Sequence, residues 1–250
     1  MIAIERLRKC FGPLVAVDDL GVSIEAGTVF GFLGRNGAGK TTTIRMMMGL
    51  LEPTSGTVRL AGHDIAREPE AAKRVTGYLP DRPHLYDKLT GLEYLGFVGE
   101  LFGLARHEAK RRGLALLDDM RLTAQGGELV ETFSHGMKQR LALTGALMHR
   151  PRILVLDEPM VGLDPEGARE LKTRIAALAA EGVTIFLSTH SLAVAEEVCG
   201  RIGIVDRGRL VALGSLDDLR ARAKAAAGAE RGGRTLEDVF LDILRAEDAA

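Results

Sequence analysis

The sequence offers little sulfur chemistry and almost no net charge. Cys10 and Cys199 are its only cysteines, far apart in the chain and outside any metal-type spacing, which excludes a disulfide framework and suits a reducing compartment. Lys and Arg number 33 against 34 for Asp and Glu, so no overall positive field gathers nucleic acid or an anionic membrane, and any polyanion must be held locally. A spanning helix needs about 20 mostly apolar residues. The apolar stretches here end sooner, interrupted by Arg45 between Thr41 and Leu51 and by His149 and Arg150 after Ala142–Met148. The start, MIAIERLRKC, lacks the apolar stretch and small-residue cleavage site of a secretory signal, so export is not expected. No fixed-period repeat is visible either.

What remains is a chain of 250 residues, 46% hydrophobic, long enough to bury a full core as one domain with a subdomain. Alternating segments at Ile2–Leu7, Leu20–Ile24 and Thr57–Ala61, separated by glycine-bearing turns, read as antiparallel strands. Short continuous apolar runs follow at Val29–Leu33, Ile153–Leu156, Val183–Leu187 and Ile202–Val205. Such runs suit strands covered on both faces, and the helical patterns between them indicate βαβ units and a parallel sheet. The expected class is α/β, with an antiparallel β subdomain at the amino end. From about Gly91 to His149 the spacing turns helical without an obvious strand, as in Leu92, Leu95 and Gly99, and is read as a helical insertion. Residues 220–234, rich in alanine, glycine and arginine, read as a flexible connector. Over 235–250 a last amphipathic helix is expected, capped by Thr235, with Leu236, Val239, Phe240, Ile243 and Leu244 on one stripe.

Chemistry concentrates in three places. Gly34-Arg35-Asn36-Gly37-Ala38-Gly39-Lys40-Thr41 follows an apolar strand and precedes the helix-like Thr42–Leu51, the context a phosphate-binding P-loop requires. Its glycines let successive amides point inward, and the following helix adds its positive end. Lys40 can reach the terminal phosphates and the Thr41 hydroxyl can ligate magnesium. The run Ile153–Leu156 then delivers Asp157 and Glu158 at its carboxyl end, where ligands bind in open α/β sheets. Asp157 is placed for the magnesium shell and Glu158 for polarising the attacking water as general base. Taken alone, this pair also reads as an acidic turn. Thr184–Leu187 leads into Ser188-Thr189-His190, and parallel neighbours end on one edge, so His190 emerges beside the phosphates rather than as a plain surface histidine.

Together with Phe133-Ser134-His135-Gly136-Met137-Lys138-Gln139-Arg140, these residues resemble ATP-binding cassette ATPases, and this octapeptide looks like that family's signature motif. The resemblance implies that Ser134, His135, Gly136 and Met137 meet the nucleotide of an opposite subunit. A hydroxyl, an exposed amide and a helix start do make an anion site, although Ser134 by itself also reads as a helix cap. His135 stands where the family usually has a second glycine, and Met137 replaces a common glutamine. Asp81, after Gly77-Tyr78-Leu79-Pro80, holds a position that the resemblance usually gives to glutamine and is a further magnesium candidate, directly or through water, or else a turn residue before Pro83. Asp164 in Val161-Gly162-Leu163-Asp164-Pro165 matches an acidic residue that couples two sites across a dimer, or else opens a helix from Glu166. Phe11 matches the aromatic that stacks on adenine, the alternative being a core residue; the nucleotide contacts expected besides it are Gly34, Asn36, Gly37, Ala38, Gly39, Lys40, Thr41 and Thr42.

The likeness spans Met1 to Leu219, the expected cassette. It implies a P-loop NTPase that hydrolyses ATP with Mg2+, works as a homodimer or heterodimer, and sits on the cytoplasmic side of the membrane beneath a separate integral permease, in an exporter-like arrangement. The competing readings are a cassette ATPase without a membrane partner acting on nucleic acid or ribosomes, a P-loop kinase or GTPase, and an inert scaffold. No long coiled-coil insertion, basic surface or Asn-Lys-x-Asp guanine-reading sequence supports the first two, and intact Lys40, Asp157, Glu158 and His190 oppose the third.

Overall fold

The computed structural model describes residues 1–227 together with Phe240. In chain order the elements are β1 (Ile2–Phe11), β2 (Leu14–Ile24), β3 (Val29–Leu33), α1 (Lys40–Met47), β4 (Ser55–Leu60), β5 (His63–Asp64), α2 (Pro69–Arg74) and β6 (Thr76–Leu79). Then come α3 (Gly91–Leu101), α4 (Arg106–Asp119), α5 (His135–Leu147), β7 (Ile153–Asp157), α6 (Pro165–Ala180), β8 (Thr184–Thr189), α7 (Leu192–Val198), β9 (Arg201–Asp206), β10 (Arg209–Gly214) and α8 (Leu216–Ala227).

Two sheets form. The first, ordered β2-β1-β4-β5, is antiparallel and carries Ile2, Ile4, Leu20, Val22 and Ile24 inward with the more exposed Ala3, Gly21 and Ser23 between them, the period-2 burial expected of a half-covered sheet. The second, ordered β10-β9-β3-β8-β7-β6, is parallel except for the edge strand β10. Every residue of β3, β7 and β8 is buried, which is why their sequences are continuous apolar runs. One core cluster lies between the two sheets, with Phe186 tilted against Phe30 and Phe32 at ring-centroid distances of 5.6 and 5.1 Å. The other covers the opposite face of the parallel sheet and runs into the helical insertion through Leu79, Leu95, Leu141, Leu156 and Ile175.

The α/β class with an antiparallel amino-terminal sheet is therefore present. Strands β5, β6 and β10 were not foreseen, and β1 and β2 are longer than their alternating cores, meeting at a hairpin whose turn residue Gly12 has φ +57°. α1 starts at Lys40, two residues before the expected helix. The insertion holds α3, α4 and α5; α3 begins in a capping box, with Thr90 Oγ1 accepting from the Glu93 amide at 3.2 Å and Glu93 Oε2 accepting from the Thr90 amide at 2.8 Å.

The connector expected over 220–234 is corrected at its start, because α8 continues to Ala227. Ser215 and Asp218 cap that helix reciprocally, the Ser215 Oγ accepting from the Asp218 amide at 3.1 Å and Asp218 Oδ2 from the Ser215 amide at 2.9 Å. Alanine and arginine, read as linker composition, are strong helix formers once a cap is in place. The rest of the connector and the expected helix over 235–250 lie outside the described residues apart from Phe240, which packs against the cluster of Leu33, Ala195, Ile202 and Ile204.

Candidate functional site

Register brings the chemistry together. Leu33 pairs with Thr189, and Asp157 with Ser188, so β3, β7 and β8 end at one edge of the sheet. The loop from Gly34 to Gly39 leaves β3 at that edge and turns into α1. Gly39 has φ +100°, and a Cβ there would sit 2.6 Å from the Ala16 carbonyl oxygen; a Cβ on Gly34 would sit 2.5 Å from that of Val205. Both positions require glycine for backbone approach, and Gly39 requires it for conformation as well.

Lys40, 6% exposed, turns back into this loop, its Nζ donating to the carbonyls of Gly34 at 2.7 Å and Arg35 at 3.3 Å. The same ammonium lies 3.4 Å from Glu158 Oε1. The other carboxylate oxygen of Glu158 is 2.9 Å from His190 Nδ1, so Lys40, Glu158 and His190 form one chain of contacts. Glu158 itself has φ +49°, a conformation costly for a non-glycine residue and common at functional sites. Its amide donates to the Ser188 carbonyl at 3.1 Å, tying the turn to the end of β8.

Asp157 is 1% exposed. Burial pushes its carboxyl above the usual range, opposed by hydrogen bonds from the Ser188 and Thr41 hydroxyls, with Glu158 and Asp81 adding negative charge that pushes it further up. The Thr41–Asp157 contact joins the start of α1 to the end of β7.

A cleft of about 590 Å³ collects these groups: Phe11, Asn36, Gly37, Gly39, Lys40, Thr41, Thr42, Asp81 and Glu158 line it. Gly34 and Ala38 lie behind its lining, Ala38 buried. Phe11 is 47% exposed at the cleft mouth, with Lys9 Nζ 5.1 Å from its ring centroid, so the alternative that it is a core residue fails. Leu14, Val15, Ala16, Arg35 and Arg207 also line the cleft and were not foreseen. For Arg207 the sequence showed only a turn, Asp206-Arg207-Gly208. The fold lays that turn on the P-loop, the Gly208 amide donating to the Ala38 carbonyl at 3.0 Å and its carbonyl accepting from the Asp18 amide at 2.9 Å.

Ser134, His135, Gly136 and Met137 are absent from this cleft's lining. Ser134 caps α5, its Oγ accepting from the Met137 amide at 3.3 Å. Asp164 caps α6, accepting from the Gly167 amide at 2.8 Å, and α6 starts at Pro165. Both therefore perform the helix-capping role that was their alternative reading.

Known proteins resemble this chain in sequence and fold. The sequence profile described as ABC transporter matches residues 17–161. The chain is 39% identical over 222 residues to the linearmycin resistance ATP-binding protein of Bacillus subtilis (strain 168), covering 89% of this chain and 71% of that protein. A solved structure described as the ATP-binding subunit of an ABC transporter superposes with a TM-score of 0.89 at 33% identity, covering 98% of this chain and 99% of the other. A dimeric post-hydrolysis cassette bound to ADP and Pi has the same fold, with a TM-score of 0.79 at 22% identity over 86% of this chain and 99% of that one. With a P-loop, a strand-end Asp-Glu pair and a facing histidine on one sheet edge, and with relatives matched over most of its length, the chain belongs to the ABC transporter family as an ATP-binding, ATP-hydrolysing cassette.

Proposed function

We propose that this cassette works as a dimer, each ATP held between the P-loop of one copy and Ser134 and Gly136 of the other, to drive a separate integral membrane permease. One observation carries the reading: within a single chain, the start of α5 with Ser134 and Gly136 does not line the P-loop cleft, which supports a second copy bringing the two together around one nucleotide. The dimeric form of a cassette with the same fold supports it.

In this arrangement Glu158 accepts the proton of the attacking water, and His190, hydrogen-bonded to it, orients that water and donates to the γ-phosphate. Lys40 leaves its Glu158 contact for the phosphates. Phe11 offers a ring on which adenine stacks. Thr41 and Asp157, with Asp81 in the same cleft, would hold Mg2+, which supplies charge neutralisation on the phosphates. These hard oxygen donors fit magnesium.

The seat proposed for the permease is a groove. Tyr78, Pro83, Leu85, Tyr94, Val98 and Phe102 line a groove between the parallel sheet and the helical insertion, next to the loop that carries Asp81. No described helix is long and apolar enough to cross a membrane, and the reading assigns the membrane-spanning part to a partner. We place the cassette on the cytoplasmic face of the membrane and take export as the direction, as the resistance function in the relative's name suggests. The cassette proper is read as residues 1–219, with the insertion at about 91–149. Co-purification of the chain with an integral membrane protein tests the partner; Ser134→Ala tests the composite site, since turnover must then fall in a dimer while ATP binding to the monomer stays. Wild-type turnover by a monomeric Ser134→Ala chain would refute it.

A further inference from the structure

The helix that begins with Ser134 and Gly136 also grips the loop that carries its own chain's Glu158. Two side chains of α5 one turn apart, and so on one face, reach that loop. Gln139, 1% exposed, donates from Nε2 to the Pro159 carbonyl at 3.2 Å, while its Oε1 is buried without a hydrogen-bond partner. His135 places Nε2 3.4 Å from the Val161 carbonyl. Because a carbonyl only accepts, that nitrogen carries the proton.

The imidazole also covers Gly162, where a Cβ would lie 2.6 Å from the ring Cδ2 and 2.7 Å from Nε2. Gly162 has φ +77°, a backbone conformation that favours glycine, and a side chain there would have to displace the His135 ring. The loop is thus held at two carbonyls, Pro159 and Val161, immediately after Glu158, whose carboxylate is held from the other side by Lys40 and His190. His135 faces its own chain's loop, not outward as a phosphate ligand would.

We propose that His135 and Gln139 are positioning residues that staple α5 to the Glu158–Asp164 loop of the same chain. The inference rests on the dimeric reading above: movement of α5 as it engages the partner copy's ATP is passed through the staple to this copy's own general base. The two sites of a dimer are thereby linked through the body of each cassette. An unpartnered buried Oε1 on Gln139 is a cost that packing alone does not explain, and an anchored loop does.

Mixed dimers of two differently tagged full-length copies test this. One copy carries Lys40→Ala, so that only the other copy's P-loop turns over. His135→Ala is placed either in the copy with the intact P-loop or in the Lys40→Ala copy, and the exposed position of the side chain keeps folding out of question. Turnover in the first arrangement falls about tenfold further than in the second, with KM for ATP within about twofold, the scale of a slightly misplaced catalytic group. Gln139→Met gives the same asymmetry, and His135→Gln, whose amide can donate to the Val161 carbonyl, restores most of the rate. An equal or larger fall when the change sits in the Lys40→Ala copy, or no fall in either, overturns the staple. If Glu158→Gln homodimers keep wild-type turnover, the reading of the site has failed instead.

Discussion

Replacing Glu158 by Gln keeps the side chain's size and removes its charge and basicity. In this structure the carboxylate has two partners, Lys40 Nζ at 3.4 Å and His190 Nδ1 at 2.9 Å, and is largely buried. The amide can still meet His190, but it cannot accept a proton from water. Loss of a general base lowers turnover by about a hundredfold or more, equivalent to about 2.7 kcal/mol of barrier. Binding should behave differently. A bound phosphate competes with Glu158 for the Lys40 ammonium, so removing the carboxylate leaves ATP affinity unchanged or higher.

Stability adds a second, independent sign. Without ATP the variant leaves a buried ammonium with only the Gly34 and Arg35 carbonyls, at 2.7 and 3.3 Å. A cost of about 1 kcal/mol, a shift of about 2–4 °C in Tm for a chain of this size, follows. Saturating ATP restores the melting temperature, because phosphate supplies the missing charge. Phosphate release under saturating ATP, calorimetric titration, and gel filtration with and without ATP measure the three effects, the last showing an ATP-stabilised dimer. Wild-type turnover in the Gln variant, or a loss of ATP affinity equal to the loss of rate, would refute this account of Glu158.

Further outcomes follow from the same geometry. Phe11→Ala weakens ATP binding by about 1–3 kcal/mol in calorimetric titration, the worth of one base stacked on a ring, while Tm barely moves because the ring is half exposed; unchanged affinity would remove Phe11 from the site. Gly39→Ala forces a side chain into φ +100° and within 2.6 Å of the Ala16 oxygen, so the loop distorts, Tm drops by about 5 °C or more and ATP binding is lost. His149 stacks on Phe102 with ring centroids 3.7 Å apart and donates to the Thr76 carbonyl at 3.2 Å; burial pushes its pKa below the ordinary 6.5. The unfolded chain therefore takes up a proton that the folded chain refuses, and stability is lost as pH falls from 6.5 toward the depressed value. In His149→Phe, denaturant unfolding at pH 7 and pH 5 shows a smaller difference between the two; an unchanged difference would assign the acid sensitivity elsewhere.

Much of this site was legible because its chemistry is local. Gly34 to Thr41 must be adjacent to wrap one phosphate, and the apolar runs before Gly34, Asp157 and His190 announce buried strands with reactive ends. Phe11 could be named but not placed, since exposure depends on what packs over the β1–β2 hairpin. Arg207 left no signal, because a turn after β9 has no local reason to rest on the P-loop. The start of the connector, up to Ala227, failed for the opposite reason: alanine and arginine fit a linker and a helix equally well until Ser215 and Asp218 supply a cap.

By itself, then, the sequence determined which residues can bind phosphate, hold a metal and take a proton, because those abilities belong to side-chain type and close spacing. The tertiary structure decided which of them act on one another. Only the register of β3, β7 and β8 sets Glu158 between Lys40 and His190, more than a hundred positions apart in the chain. Only the packing of α5 on the loop after Glu158 turns His135 toward Gly162, since contacts between distant segments depend on how the buried faces of the whole chain fit together.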